Sequence, residues 1–161
     1  MLKKIGKLGK VRPLAKVAGF LSRRLKVGGG TSLPGAVGLK IDPELIKHLA
    51  AELNLTSVVI TATNGKTTTA NMTAAVFKSL GLKLVHNSAG ANLPSGIATA
   101  LLKAEKSPHQ IGLFEVDEAA AQQVVTQLRP KLFLVGNIFR DQLDRFGELD
   151  RTASLIGEAV K

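Results

Sequence analysis

The sequence predicts an α/β fold in which a parallel β-sheet carries helices on both faces. Stretches of helical periodicity alternate with four apolar runs, at residues 57–60, 82–86, 112–117 and 131–135. The runs are almost continuously apolar, which is typical of parallel strands that are buried on both faces. Polar residues follow each run, and open α/β sheets bind ligands beyond the carboxyl ends of their strands. The order of elements therefore predicts a ligand site at one edge of the sheet.

Residues 1–27 are predicted to form a basic amphipathic leader that is separate from the domain. They contain nine Lys and Arg residues and no Asp or Glu, in a chain whose net charge is +10. Apolar residues recur among them at helical spacing. The pattern favours either attraction to an anionic membrane surface or a basic face on a helix that packs against the domain, and both interpretations stay open. The lack of interleaved aromatic residues argues against a nucleic-acid partner.

The composition excludes several kinds of chemistry. The chain has no Cys, which rules out disulfides, thiol catalysis and thiolate zinc sites within it and is compatible with a reducing cytosol. It has neither Trp nor Tyr, so platforms for stacking single-stranded nucleic acid are scarce. No two of the three His residues have metal-ligand spacing, and no Ser-His-Asp set can be argued. Catalysis would therefore rest on positioning and on the stabilisation of charge.

Residues 28–54 are predicted to form a turn followed by one helix. Three glycines at 28–30 read as a flexible break, and residues 31–35 read as a turn. Asp42 is expected to cap a helix with Pro43 at its first position. This helix would run to about Leu53.

Residues 61–69 carry the most informative motif of the chain. They read Thr-Ala-Thr-Asn-Gly-Lys-Thr-Thr-Thr and lie between an apolar strand and a helical pattern. Strand, Gly-Lys-Thr and helix in this order are what a phosphate-binding loop needs, because N–H groups at a helix start attract anionic oxygens. Ile60 stands where the common loop has its first glycine, so this is a shorter variant. The residues that we expect to bind nucleotide phosphates are Thr63, Asn64, Gly65, Lys66, Thr67 and Thr68.

Further helices are predicted after this loop. The first, at 69–80, would turn inward the apolar residues Met72, Ala75, Val76 and Leu80. The second would begin at Pro94 and continue through Ala104. A third helix is expected at about 119–128, a charged loop or short helix at 137–146, and a last helix from about Asp150.

Glu115 is the predicted metal ligand, together with the hydroxyl of Thr67. It ends a buried strand at the edge where the phosphate loop lies, and Mg²⁺ is usually held by few protein oxygens plus phosphates. The alternative is that Glu115 caps the next helix, although Asp117 and Glu118 suit that role better. Lys66 would supply a positive charge to the outer phosphates, so Lys66 and Glu115 are the predicted catalytic residues.

These motifs resemble those of the Mur ligases, and within that superfamily those of the MurT group. The resemblance covers nearly the whole chain from Gly28 on. It rests on Thr-Ser-Leu-Pro-Gly at 31–35, Thr-Asn-Gly-Lys-Thr-Thr-Thr at 63–69 and Asn-Ser-Ala-Gly-Ala-Asn-Leu-Pro-Ser-Gly at 87–96. Glu-Val-Asp-Glu at 115–118 and Phe-Arg-Asp-Gln-Leu-Asp-Arg at 139–145 complete it.

The resemblance implies an activity, cofactors and partners. ATP would phosphorylate the α-carboxyl of D-glutamate in the stem peptide of lipid II, and ammonia would convert the acyl-phosphate to D-isoglutamine. The ammonia would come from a GatD-type glutaminase subunit. Thr67 and Glu115 would hold Mg²⁺, and Asn92 and Asn137 would join the nucleotide-binding set. The protein would act in the cytoplasm, with membrane contact through residues 1–27 as the open alternative.

The sequence departs from the Mur pattern at three places, and these departures bear on which group of Mur ligases it resembles. Ala62 replaces the first glycine of the Mur loop. Gln142 stands where amino-acid-adding ligases have a metal-ligating His, and Ile156 and Gly157 stand where they carry a carbamylated Lys. These differences favour the MurT group over an amino-acid-adding ligase or a folylpolyglutamate synthase. A nucleotide-binding module without catalysis is the alternative from another functional class.

Family members extend well past 161 residues. The resemblance places their zinc ribbon and C-terminal domain beyond residue 161, so residues 55–161 are expected to be only the start of the central ATP-binding domain. We therefore expect this chain alone to be inactive and to bind Mg-ATP weakly or not at all, which isothermal titration can measure.

Overall fold

Four parallel strands form one sheet in the order β2-β3-β1-β4. The computed structural model describes residues 9, 11–15, 17–20, 32–87, 90–138, 154 and 156–158. The strands are β1 (Thr56–Thr61), β2 (Lys83–His86), β3 (Gln110–Glu115) and β4 (Leu132–Val135). The helices are α1 (Leu33–Ile41), α2 (Leu45–Glu52), α3 (Lys66–Ser79), α4 (Pro94–Lys103) and α5 (Ala121–Leu128), with a 3₁₀ turn at Glu118–Ala120. The predicted α/β class and parallel sheet are confirmed.

Helices cover both faces of the sheet, as predicted. On one face, α2, α4 and α5 enclose the larger core with side chains of β1, β2 and β3, including Val59, Val85 and Phe114. On the other face, Ala70 and Ala74 of α3 pack on Ile60 and Leu113. Strand β4 is less covered, since Leu132 is 54% exposed at the outer end of the strand order.

The register aligns the carboxyl ends of three strands. Ile60 of β1 lies opposite Glu115 of β3, and Thr61 lies opposite Val135 of β4. The segments that follow these strands therefore emerge side by side at one edge of the sheet. This alignment brings together residues that are far apart in the sequence.

The prediction of a turn at 31–35 is wrong for Leu33, Pro34 and Gly35, which form the first turn of α1. Pro34 takes an early helical position, where proline is tolerated because its missing N–H has no helical partner. Gly35 allows α1 to cross α4 closely, since a Cβ there would lie 1.9 Å from the carbonyl oxygen of Ser95. The Gly35 N–H donates to Oγ1 of Thr99 at 2.8 Å.

The helix predicted to start at Pro43 begins two residues later, at Leu45. Asp42 caps the turn that precedes this helix and is not the N-cap of the helix itself. Its Oδ1 accepts a hydrogen bond from the Glu44 N–H at 3.2 Å, and its Oδ2 lies 2.6 Å from Nδ1 of His48. The aspartate therefore closes a tight turn, and Glu44 takes the N-cap position.

The predicted inward face of α3 is also wrong. Met72, Val76 and Leu80 are 67%, 57% and 68% exposed, and Ala75 is exposed as well. The residues that face the sheet are Ala70 and Ala74. Small side chains let this helix lie close to the strands, so the larger apolar residues point away.

Part of the predicted leader belongs to the core. Residues 11–15 and 17–20 are helical, and Val11 and Ala15 are 0% and 4% exposed. Arg12 forms an ion pair with Glu52 of α2 at 2.9 Å. Within the described residues, no helix is long and apolar enough to span a bilayer. The predictions for residues 1–8, 10, 16, 21–31 and 139–153, including Gln142, fall outside the described residues.

Candidate nucleotide-binding site

The loop between β1 and α3 presents the start of a helix at the carboxyl edge of the sheet. Gly65 is the N-cap residue of α3 and has a φ of +80°, a left-handed conformation that side chains disfavour. No side chain caps this helix, so the first-turn N–H groups of Lys66, Thr67 and Thr68 have no such competitor. Those N–H groups and the helix dipole together favour an anionic ligand.

Strand β4 anchors the phosphate loop from one side. The Thr63 N–H donates to the carbonyl oxygen of Asn137, and the Gly136 N–H donates to that of Thr61, both at 2.8 Å. The main chain of Asn137 thus holds the loop, while its side chain is exposed. Asn64 is exposed at the tip of the loop.

The ammonium of Lys66 is folded over its own loop. Its Nζ donates to the carbonyl oxygens of Ala62 at 2.8 Å and Thr63 at 3.2 Å. It also lies 3.5 Å from Oε2 of Glu118, and both side chains are mostly buried. The lysine is therefore held at the mouth of the loop, where an entering phosphate would meet it.

Thr67 and Glu115 meet as predicted. The Thr67 hydroxyl donates to Oε1 of Glu115 at 2.9 Å, although the two residues are 48 positions apart. Glu115 is only 3% exposed, and no Lys, Arg or His in the described part of the chain forms an ion pair with it. A buried carboxylate without a cation is costly, which favours a bound cation at this point.

The spacing of these two oxygens fits Mg²⁺. Adjacent oxygens around an octahedral Mg²⁺ lie about 2.9 Å apart, because each bond is about 2.1 Å long. No group of three or more His, Cys, Asp or Glu that could hold a metal occurs among the described residues. Two protein oxygens are the small set that Mg²⁺ usually takes when phosphates and water supply the rest.

Asn87 is a site residue to which the sequence analysis assigned no individual role. It follows β2, is 4% exposed and pairs with the main chain of Glu115. Its Oδ1 accepts from the Glu115 N–H at 3.0 Å, and its Nδ2 donates to the Glu115 carbonyl oxygen at 2.7 Å. Nδ2 also donates to the carbonyl oxygen of Ala91 at 3.0 Å. Asn87 therefore fixes the backbone that carries the candidate metal ligand.

Asn92 lies next to the same strand end. Its carbonyl oxygen accepts from the Asp117 N–H at 3.0 Å, just before α4 begins. Asp117 caps the 3₁₀ turn by accepting from the Ala119 N–H at 3.0 Å, which confirms its predicted role. Glu118, expected to be a second capping residue, instead faces Lys66.

A cavity of about 500 Å³ lies elsewhere, between β2 and the C-terminal half of α4. Its lining includes His86, Lys103 and Gln110, and none of the predicted nucleotide-binding residues. The phosphate loop does not line this cavity.

Residues 60–157 match the Mur ligase middle domain. The chain belongs to the Mur ligase family. This assignment confirms the family that the motifs at 63–67 and 115–118 predicted.

The curated relatives include MurT proteins. The chain is 40% identical over 138 residues to "Lipid II isoglutaminyl synthase (glutamine-hydrolyzing) subunit MurT" of Streptococcus pneumoniae R6, covering 84% of this chain and 30% of that protein. It is 36% identical over 147 residues to the MurT subunit of Staphylococcus aureus COL, covering 91% of this chain and 33% of that protein. A UDP-N-acetylmuramoylalanine–D-glutamate ligase of Geotalea daltonii is 32% identical over 102 residues, which cover 63% of this chain and 21% of the ligase.

The fold is that of solved Mur ligases. MurF from Acinetobacter baumannii superposes with a TM-score of 0.64 at 21% identity, over 76% of this chain and 27% of MurF. That likeness concerns the fold alone. The chain spans about a third of the length of the MurT proteins it matches.

Proposed function

We propose that this Mur ligase chain supplies the ATP-binding part of a lipid II isoglutaminyl synthase. The observation that carries the proposal is its 36–40% identity to MurT subunits over most of the chain. The D-glutamate-adding ligases are also similar, but at 30–32% identity over a shorter part of the chain. The reaction is ATP-dependent formation of an amide in peptidoglycan synthesis.

The site geometry supports ATP as the phosphoryl donor. The β- and γ-phosphates would lie at the start of α3, with Lys66 turning from the loop carbonyls toward their oxygens. Thr67 and Glu115 would hold Mg²⁺, which neutralises phosphate charge when bound. Asn87 would keep Glu115 in place, and Thr63 and Asn92 would stand at the rim.

The proposed reaction has two steps, formation of an acyl-phosphate and its conversion to an amide. A carboxylate oxygen of D-glutamate attacks the γ-phosphorus, and the bond to the leaving ADP breaks. Ammonia then attacks the acyl carbon, phosphate leaves and one proton is lost from nitrogen, which gives the α-amide. A GatD-type glutaminase would release that ammonia from glutamine. Positioning and charge stabilisation are the main contributions that a protein makes to phosphoryl transfer.

Reconstitution tests this proposal. The full-length protein is incubated with a GatD-type glutaminase, lipid II, glutamine and ATP, and the lipid product is analysed by mass spectrometry. We expect conversion of the α-carboxyl to an amide, and its loss when the glutaminase is omitted unless free ammonia is added. Parallel reactions supply UDP-N-acetylmuramoylalanine and D-glutamate instead. Product only in these parallel reactions would assign the chain to the D-glutamate-adding ligases, and ATP binding without either product would favour a nucleotide-binding module.

A further inference from the structure

The N-terminal helical segment, residues 11–15 and 17–20, has two apolar sides. Its inner side is buried in the core: Val11 and Ala15 are 0% and 4% exposed, and Gly19 is also buried. These residues recur every four positions, which places them on one side of a helix. The segment is therefore docked on the domain through this side.

The outer side exposes three large apolar residues, Leu14, Val17 and Phe20, which we call the outer stripe. They are 51%, 56% and 55% exposed. Steps of three residues turn a helix by about 300°, so the stripe spans about 120° and its centre lies about 160° from that of the buried side. The outer stripe therefore points away from the core.

The docking of the segment fixes this orientation. The Arg12 guanidinium pairs with Glu52 of α2 at 2.9 Å, and Val11 lies against Gly38 of α1. A rotation that buried the outer stripe would withdraw Val11 and Ala15 from the core and break the ion pair. The burial of those two side chains is the larger stabilising effect, because an exposed ion pair contributes at most about 1 kcal/mol.

The charge of the sequence that carries the outer stripe indicates what covers it. Residues 1–27 contain nine basic residues and no acidic one. One of the nine, Arg12, forms an ion pair with Glu52 of the domain. A surface that is complementary to both features must be anionic and must also accept apolar side chains. The headgroup region of an anionic bilayer meets both requirements, whereas nucleic acid offers mainly the charge.

We propose that the outer stripe inserts into an anionic membrane surface and that the basic residues of the 1–27 sequence bind lipid headgroups there. This would place the domain at the surface where a lipid-linked substrate lies. The proposal does not depend on the amidation reaction, because lipid binding can be measured without substrate or turnover.

Vesicle binding by the full-length protein tests this inference. Cosedimentation is measured with phosphatidylglycerol-containing vesicles and with phosphatidylcholine vesicles, for the wild type and for the triple variant Leu14→Ser, Val17→Ser, Phe20→Ser. Each side chain is about half exposed, so the three together should account for about a hundredfold in the partition coefficient. Binding of the wild type should require the anionic lipid and weaken in high salt.

Helix α3 offers a matched control. The triple variant Met72→Ser, Val76→Ser, Leu80→Ser removes a similar exposed apolar set, at 67%, 57% and 68% exposure, outside the basic segment. We expect it to bind vesicles like the wild type. Circular dichroism melting of both variants checks that the fold is kept.

Three results would overturn the proposal. One is equal binding of the wild type to both kinds of vesicle, and another is an equal loss of binding in the two triple variants. The third is unchanged vesicle binding in the outer-stripe variant. If that variant then failed to self-associate or to bind the glutaminase in analytical ultracentrifugation, the stripe would be a protein interface instead.

Discussion

Replacement of Asn87 should damage both the stability of the domain and its proposed use of Mg²⁺. The side chain makes two buried hydrogen bonds to the main chain of Glu115 and a partly buried one to that of Ala91, at 2.7–3.0 Å. In Asn87→Ala, a buried N–H and two carbonyl oxygens lose their partner. Each such group costs about 1–3 kcal/mol, but water can enter the space of the lost side chain, so we expect a total of about 3 kcal/mol.

A second substitution, Asn87→Asp, tests the contribution of the Nδ2 donor separately. Asn87→Asp keeps an acceptor for the Glu115 N–H. Its second carboxylate oxygen, however, would replace Nδ2 and repel the carbonyl oxygens of Ala91 and Glu115, to which Nδ2 donates in the wild type. We therefore expect Asn87→Asp to be no more stable than Asn87→Ala at neutral pH. Guanidinium unfolding gives the free energy, and the Mg²⁺ concentration for half-maximal amidation in the full subunit gives the effect on the site. That concentration should rise about tenfold or more, because Glu115 loses its fixed backbone.

Thr99→Val is the matched control for Asn87. Thr99 is also buried and makes two hydrogen bonds, but it lies at the crossing of α1 and α4 rather than beside Glu115. This control should lose stability and leave the Mg²⁺ requirement unchanged. The reasoning is refuted if Asn87→Ala unfolds within about 1 kcal/mol of the wild type, or if both variants need the same Mg²⁺ concentration.

Three other substitutions test the phosphate loop. Lys66→Ala should lower turnover of the full subunit by about a hundredfold to a thousandfold and weaken ATP binding, and unchanged kinetics would exclude a phosphate role. Glu118→Gln should tighten ATP binding by roughly two- to fivefold in calorimetry, since Lys66 loses a competing partner and a negative charge leaves the site; weaker binding would contradict this. Gly65→Ala should cost about 1–2 kcal/mol through its φ of +80°, as should the control Gly81→Ala at +75°. Only Gly65→Ala should also impair ATP binding in the titration.

The sheet and the phosphate loop could be predicted because each is specified by residues that are adjacent in the sequence. Apolar runs marked the strands, and Gly65 and Lys66 marked the loop between a strand and a helix. The rule that ligands bind at the carboxyl ends of parallel strands then placed Glu115 beside Thr67, which the 2.9 Å hydrogen bond confirms. The nucleotide that these residues would bind stays a prediction.

Tertiary packing decided the features that the sequence analysis missed. Asn87 contributes to the site by binding the main chain of Glu115, which is 28 positions away in the sequence. No local pattern around Asn87 predicts this hydrogen bond. Pro34 and Gly35 look like a turn, but Gly35 serves the close crossing of two helices. The sequence analysis placed the larger apolar residues of α3 on its buried face. The buried face is formed by alanines instead, because their small side chains let the helix lie close to the sheet.

The contacts of Lys66 hold the shape of the phosphate loop. Two carbonyl oxygens at 2.8 and 3.2 Å and a carboxylate at 3.5 Å satisfy an ammonium that is otherwise mostly buried. A phosphate must replace these partners, so part of its attraction to Lys66 offsets the contacts it breaks. The main-chain N–H groups of α3 have no side-chain cap to displace and can contribute their full interaction. The loop backbone should therefore provide most of the affinity for ATP, and Lys66 should matter more for the charge that develops as the γ-phosphoryl group is transferred.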